Sequence, residues 1–148
     1  MRLLTAAGLF FSLLGLVGCF SSGQDDPREV VLTMIRGMDR SDGPAIASCL
    51  DFASLLTPGA TDYALRMDSV RAFPDSEALL KDLTAGGLTR ERWLEMQRVV
   101  GSTTMSGDTA LVEVSFISRL TNTQNYNKWG LRKINGQWKI FSFHMLKE

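Results

Sequence analysis

Few side chains in this sequence are equipped for chemistry. It carries one histidine, His144, and two cysteines, Cys19 and Cys49. His144 falls in the run 137–145, which alternates like a strand and puts Ser142 and His144 on the side of Trp138 and Ile140. Acid–base work by a lone imidazole needs a carboxylate to orient the ring. Glu113, on another alternating run, is the candidate if the two strands are neighbours. Tyr63, Trp93 and Trp129, with Trp138 and Tyr126, are of the type that lines a ligand pocket; Arg119 would anchor an anion there, and Glu113 and His144 would be its polar groups. The same aromatics also read as core and rim. One histidine with no cysteine cluster cannot close a zinc site, so neither metal nor other cofactor is expected. Patterns for phosphate loops, zinc proteases, serine hydrolases and calcium loops are missing. No residue is assigned as catalytic.

Cys19 has a different use. Arg2 and the apolar run 3–17 have the charge and length of a secretory signal, and a mature membrane span needs about 20 apolar residues. Leu16-Val17-Gly18-Cys19 closes that run and resembles the lipobox of bacterial lipoproteins. The resemblance implies cleavage before Cys19 and a diacylglycerol on its thiol, two chains being what stable anchoring takes. Phe20 follows where Asp would favour inner-membrane retention, so the resemblance leans to the outer membrane, facing the periplasm, in a Gram-negative envelope. The competing reading is an ordinary secretory signal with an incidental cysteine. The expected division is 1–18 signal peptide, 19–25 lipidated cysteine and polar tether, and 26–148 one domain.

Composition narrows the rest. The 148-residue chain has 16 basic and 16 acidic residues; losing Arg2 leaves 15 basic, a formal charge of about −1. There is no basic stripe, and no nucleic-acid partner is expected. Once Cys19 is lipidated, Cys49 has no partner for a disulfide and reads as a small buried hydrophobe beside Ile46 and Leu50.

The elements that would position these residues are helices first, then strands. Asp26-Pro27-Arg28-Glu29 opens a helix whose Val30, Val31, Met34, Ile35 and Met38 share one face. Asp42 caps a second, short helix with Pro44 in its first turn. A loop or single turn fills 52–59, a third helix runs from 60 or 61 to about 71, and Asp75 or Ser76 caps a fourth before Gly86-Gly87. Residues 88–92 read as a helical turn capped by Thr89 or as the lead-in to a strand, with β character from about Trp93. Ser106-Gly107-Asp108 is a tight turn, and Ala110, Val112, Val114 and Phe116 alternate as a half-buried strand. The stretch 121–127 reads as a polar loop. Asn135-Gly136 between two alternating runs is a hairpin.

This order gives the α+β class: N-terminal helices packed on one face of a curved antiparallel sheet. In the last strand strict alternation puts Trp138 and Ile140 on one face and Phe141, Phe143 and Met145 on the other. Helices can cover only one face, so a homodimer through the sheet is expected to cover part of the other.

The helices, the second opening with Asp-Gly-Pro, and the pieces Ser106-Gly107-Asp108-Thr109-Ala110 and Asn135-Gly136-Gln137-Trp138-Lys139-Ile140 resemble the nuclear-transport-factor-two-like superfamily, with its SnoaL-like and cystatin-like cone. The resemblance covers about 26–147 and implies a cone enclosing a pocket. Within that group it points to lipoproteins without an assigned function. The expected function is a lipid-anchored, non-catalytic envelope domain that binds a small ligand or an envelope protein. The alternatives are an isomerase- or lyase-type enzyme like ketosteroid isomerase and a structural homodimer. The enzyme pattern fits poorly: the first helix lacks Tyr, the strands lack Asp, and the dehydratase variant uses more than one His.

Cys19→Ser is expected to abolish incorporation of labelled palmitate and to release soluble protein. A variant that still labels and stays with the membrane fraction would refute the anchor.

Overall fold

A computed structural model describes residues 25–57 and 73–145, apart from the side chains of 144 and 145. The signal segment, Cys19, and the expected helix carrying Tyr63 and Met67 lie outside the described residues. The described elements are α1 (Pro27–Arg40), α2 (Gly43–Cys49), α3 (Phe52–Leu55), α4 (Ser76–Leu83), α5 (Leu88–Leu94), β1 (Met96–Ser106), β2 (Thr109–Ser118), β3 (Gln124–Ile134) and β4 (Gln137–Met145). The fold is α+β, with a curved, open antiparallel sheet in the order β1-β2-β3-β4.

Local chemistry sets the helix starts. Asp26, Asp42, Asp51 and Asp75 each accept a backbone N–H of the helix they precede, satisfying a donor the helix itself leaves open. Asp51 was not foreseen as a cap, and the segment after it is the single turn α3. Thr89 does not cap α5; Gly87 precedes the helix, and the Thr89 hydroxyl donates to Asp82 instead. Trp93 is therefore helical, and β1 starts three residues later than the β-branched composition suggested.

The apolar stripe of α1 (Val30, Val31, Met34 and Met38) is buried on one face of the sheet, called here the inner face. Gly37 lets α2 approach closely, since a Cβ there would sit 3.0 Å from Ile46 Cγ1. The far end of α1 is clamped. Arg90 donates to the carbonyls of Met38 and Asp39 at 2.6 and 3.1 Å, and Arg98 pairs with Asp39 at 2.7 Å. A helix C-terminus leaves its last carbonyls short of intrahelical donors, and that of Met38 also accepts the Ser41 N–H of the cap.

Two features of the sheet depart from expectation. Strand β3 begins at Gln124, so half of the expected polar loop is strand, and Asn127 pairs with Val114. Gln124 and Tyr126 occupy outward positions while Asn127 is buried on the inner side, and pairing with β2 outweighs the low strand preference of the asparagines. Between Gly130 and Leu131 the β3–β4 register shifts: Gly130 pairs with Ser142, but Leu131 pairs with Ile140. Phe141 is the extra residue of a β-bulge, which resets the alternation. Phe143 is consequently buried on the inner face with Trp138 and Ile140, and Ser142 is turned to the outer face. The expectation of a two-faced apolar last strand is thereby corrected. The Asn135-Gly136 hairpin forms as read, with φ of 51° and 80°, the left-handed pair that a two-residue turn matching strand twist requires.

The bulge separates two adjacent phenylalanines energetically. Phe143→Ala is expected to cost about 3–5 kcal/mol, as for a fully buried aromatic. Phe141→Ala, at a half-buried site, should cost far less. Urea unfolding of both variants checks this; equal losses would mean that β4 alternates without a bulge.

Candidate functional site

The sheet divides the expected pocket residues between its two faces. Trp93 from α5 and Trp129 from β3 meet on the inner face, with ring centroids 5.4 Å apart. Phe116 lies 4.8 Å from Trp93, and Phe143 stands edge-on to Trp129 at 4.8 Å. At such separations the rings fill one another's gaps, so these two tryptophans are core. Glu113 is exposed on the outer face, because it alternates with buried Val112 and Val114. Arg119 is exposed just past the end of β2. Tyr63 lies outside the described residues. The expected set is therefore not one site.

The His144–Glu113 pairing also changes. Glu113 registers with Lys128 on β3, and Lys128 registers with His144 on β4. One strand thus stands between the two positions, a separation of about 9–10 Å at the usual spacing of adjacent strands. The two are not on neighbouring strands, and Lys128 occupies the place between them. Among the described residues no three His, Cys, Asp or Glu side chains gather as a metal site would need.

Among the described residues two buried side-chain oxygens on the inner face lack a hydrogen-bond partner, Thr103 Oγ1 and Asn127 Oδ1. Asn127 is 3% exposed, and its Oδ1 is buried without a hydrogen-bond donor. An orphaned buried acceptor costs about 1–3 kcal/mol. In a polar loop Asn127 carries no site signal; its spacing of two from Trp129 and four from Leu131 is the one trace of its inward position.

The outer face is organised in registered rows. Val99, Ser115 and Tyr126 form one row across β1, β2 and β3. Glu113 and Lys128 form the next, beside Gly101. Thr104, Leu111, Gly130 and Ser142 form the third. Phe141 fills that third row: its ring would lie 2.8 Å from a Cβ on Gly130, so only glycine fits beneath it. Arg132 stacks over the same ring at 5.7 Å and donates to Asp51 and, at 2.7 Å, to Ser54 Oγ. Val99, Leu111 and Tyr126 are 42%, 45% and 50% exposed. Exposed apolar side chains, Val99 and Tyr126 in one row and Leu111 in the other, thus lie on either side of a charged row.

Cys49 lies apart from both faces' rows, buried in α2. Its thiol donates to the Ala45 carbonyl at 3.3 Å, and burial pushes its pKa above the ordinary range against smaller opposing pulls from Ser48, Lys139 and Arg36. At neutral pH it is a poor nucleophile.

No family model matches the chain, and comparisons with curated proteins and with solved structures return no match.

Asn127→Leu keeps the approximate volume and removes the orphaned acceptor. It is expected to leave the thermal midpoint unchanged or raise it. A marked fall would show that the amide is satisfied in the folded protein by water or a bound molecule.

Proposed function

We propose that this chain is a lipid-anchored envelope protein whose domain is a non-catalytic interaction module, pairing with a second copy through the outer face of its sheet. The observation that carries the reading is the arrangement of that face. Exposed Val99 and Tyr126 lie on one side of the Glu113–Lys128 row, and Leu111 and Phe141 on the other. A two-fold axis between two facing sheets, parallel to the strands and midway between β2 and β3, would set each Glu113 against the other copy's Lys128 and each flanking row against its own counterpart, as an isologous contact requires. The case for a dimer drawn from β4 alternation no longer applies, since Phe143 is core; the outer rows supply a different one. Helices followed by a four-strand meander, packed on one face, support the nuclear-transport-factor-two-like fold. The LVGC sequence supports the anchor and the envelope location, the outer membrane in a Gram-negative cell.

The isomerase-type alternative gains no support from Glu113 and the His144 position, which lie on either side of β3. A second reading rests on Asn127. A small ligand with a hydrogen-bond donor would satisfy its Oδ1 next to the aromatic cluster, which is the small-molecule version of the envelope function.

Sedimentation of residues 20–148 at micromolar concentration is expected to give a dimer. Leu111→Lys and Tyr126→Lys should each give folded monomer, because two outward lysines would meet across the axis. A monomeric wild-type domain would overturn the pairing.

A further inference from the structure

The lipid anchor of the proposed function has a geometric consequence for how the domain stands on its membrane. The first described residue, Asp25, is tied to the fold: its carbonyl accepts the indole N–H of Trp138 at 3.2 Å. Trp138 is buried, and so is Pro27 in the first turn of α1. The chain therefore leaves the domain at a defined place. That place is the end of the sheet carrying both tight turns. Trp138 pairs with Lys133 beside the Asn135-Gly136 turn, and the Lys133 N–H donates to the Asp108 carbonyl of the β1–β2 turn at 2.9 Å.

From Cys19 to Asp25 the chain can extend at most about 20–22 Å, at about 3.3–3.6 Å per residue. Strand β3 from Lys133 back to Gln124 alone runs about 30 Å, at about 3.4 Å per residue. With the β2–β3 turn toward the bilayer and the sheet upright, Asp25 would lie farther from the lipid than the tether reaches. A sheet laid flat on its outer face would cover with lipid the exposed Val99, Leu111 and Tyr126 that the proposed pairing uses.

We infer that the end formed by the Gly107-Asp108 and Asn135-Gly136 turns rests on the phospholipid surface, with the β2–β3 turn outermost and the outer face of the sheet standing clear of the bilayer. The exposed charges at this end are mixed, Lys133 with Asp25 and Asp108, so the reach of the tether and not charge sets the orientation; the Lys133 Nζ lies 5.2 Å from the Trp138 ring centroid. At the opposite end Leu120 is 97% exposed and is the outermost apolar side chain of its turn. The orientation presents the Val99–Tyr126 and Leu111–Phe141 rows laterally, to another protein anchored in the same leaflet.

The orientation rests on the anchor, and the experiment separates the two. Full-length lipidated protein carrying Gln137→Cys or Leu120→Cys is labelled with an environment-sensitive fluorophore and reconstituted in phosphatidylcholine vesicles containing headgroup nitroxide lipid. Cys19 is acylated in this material. Buried Cys49 is tested by labelling the parent protein, which should take up no dye. The expected result is loss of fluorescence from the label at 137 with the label at 120 unchanged. Equal quenching at both positions, or stronger quenching at 120, overturns the orientation while leaving the anchor standing, provided the protein incorporates palmitate. Absence of palmitate from the parent protein overturns both.

Discussion

The β-bulge at Phe141 is the constraint on which the rest of the arrangement depends. Without it, strict alternation would place Phe143 opposite Trp138 and Ile140, and the sheet would offer water a large aromatic surface worth about 1.5–3 kcal/mol in lost burial. With it, Trp138, Ile140 and Phe143 all join the inner core, and Phe143 closes the ring cluster of Trp93, Phe116 and Trp129. The displaced Phe141 is accommodated by the bare backbone of Gly130 and by Arg132. Bulge, glycine and arginine thus act as one device.

That device also manages the sheet's edge. Strand β4 is terminal in the sheet order and would expose unpaired backbone groups, a template for unwanted pairing. Leu50 bridges to Ile140 in parallel, and the Asp51 N–H donates to the Ile140 carbonyl at 2.9 Å. Asp51 then caps α3 and receives Arg132, so a single carboxylate joins the helix start to the strand that carries the bulge partner. The guanidinium of this pair is half exposed but the carboxylate is buried, so losing Arg132 would leave a buried charge short of a partner.

The sheet acts as a partition between two kinds of surface. Its inner face is packed with aromatic and aliphatic side chains and retains one unsatisfied amide, Asn127. Its outer face sets apolar rows on either side of Glu113 and Lys128. Function drawn from the inner face would be ligand binding; function drawn from the outer face would be association. The exposed apolar positions on either side of the Glu113–Lys128 row favour the proposed association.

Sequence alone determined whatever depends on neighbours along the chain. Asp26 and Asp42 announce their helices because a cap acts within three residues, and Asn135-Gly136 announces its turn because left-handed φ values select those residue types locally. The α1 stripe and the alternation of Ala110 to Phe116 were readable for the same reason: burial repeats with the period of the element. Tertiary structure decided what depends on partners distant in sequence. The bulge at Phe141 exists only as a register between β3 and β4, so no local pattern marks it. The strand character of Gln124–Asn127 comes from pairing with β2. Whether Glu113 could meet His144 turned on strand order, which interposes β3 and Lys128. Trp93 and Trp129 became core instead of pocket lining because Phe116 and Phe143 close on them from other strands, and packing of that kind is a property of three-dimensional volume, not of sequence spacing.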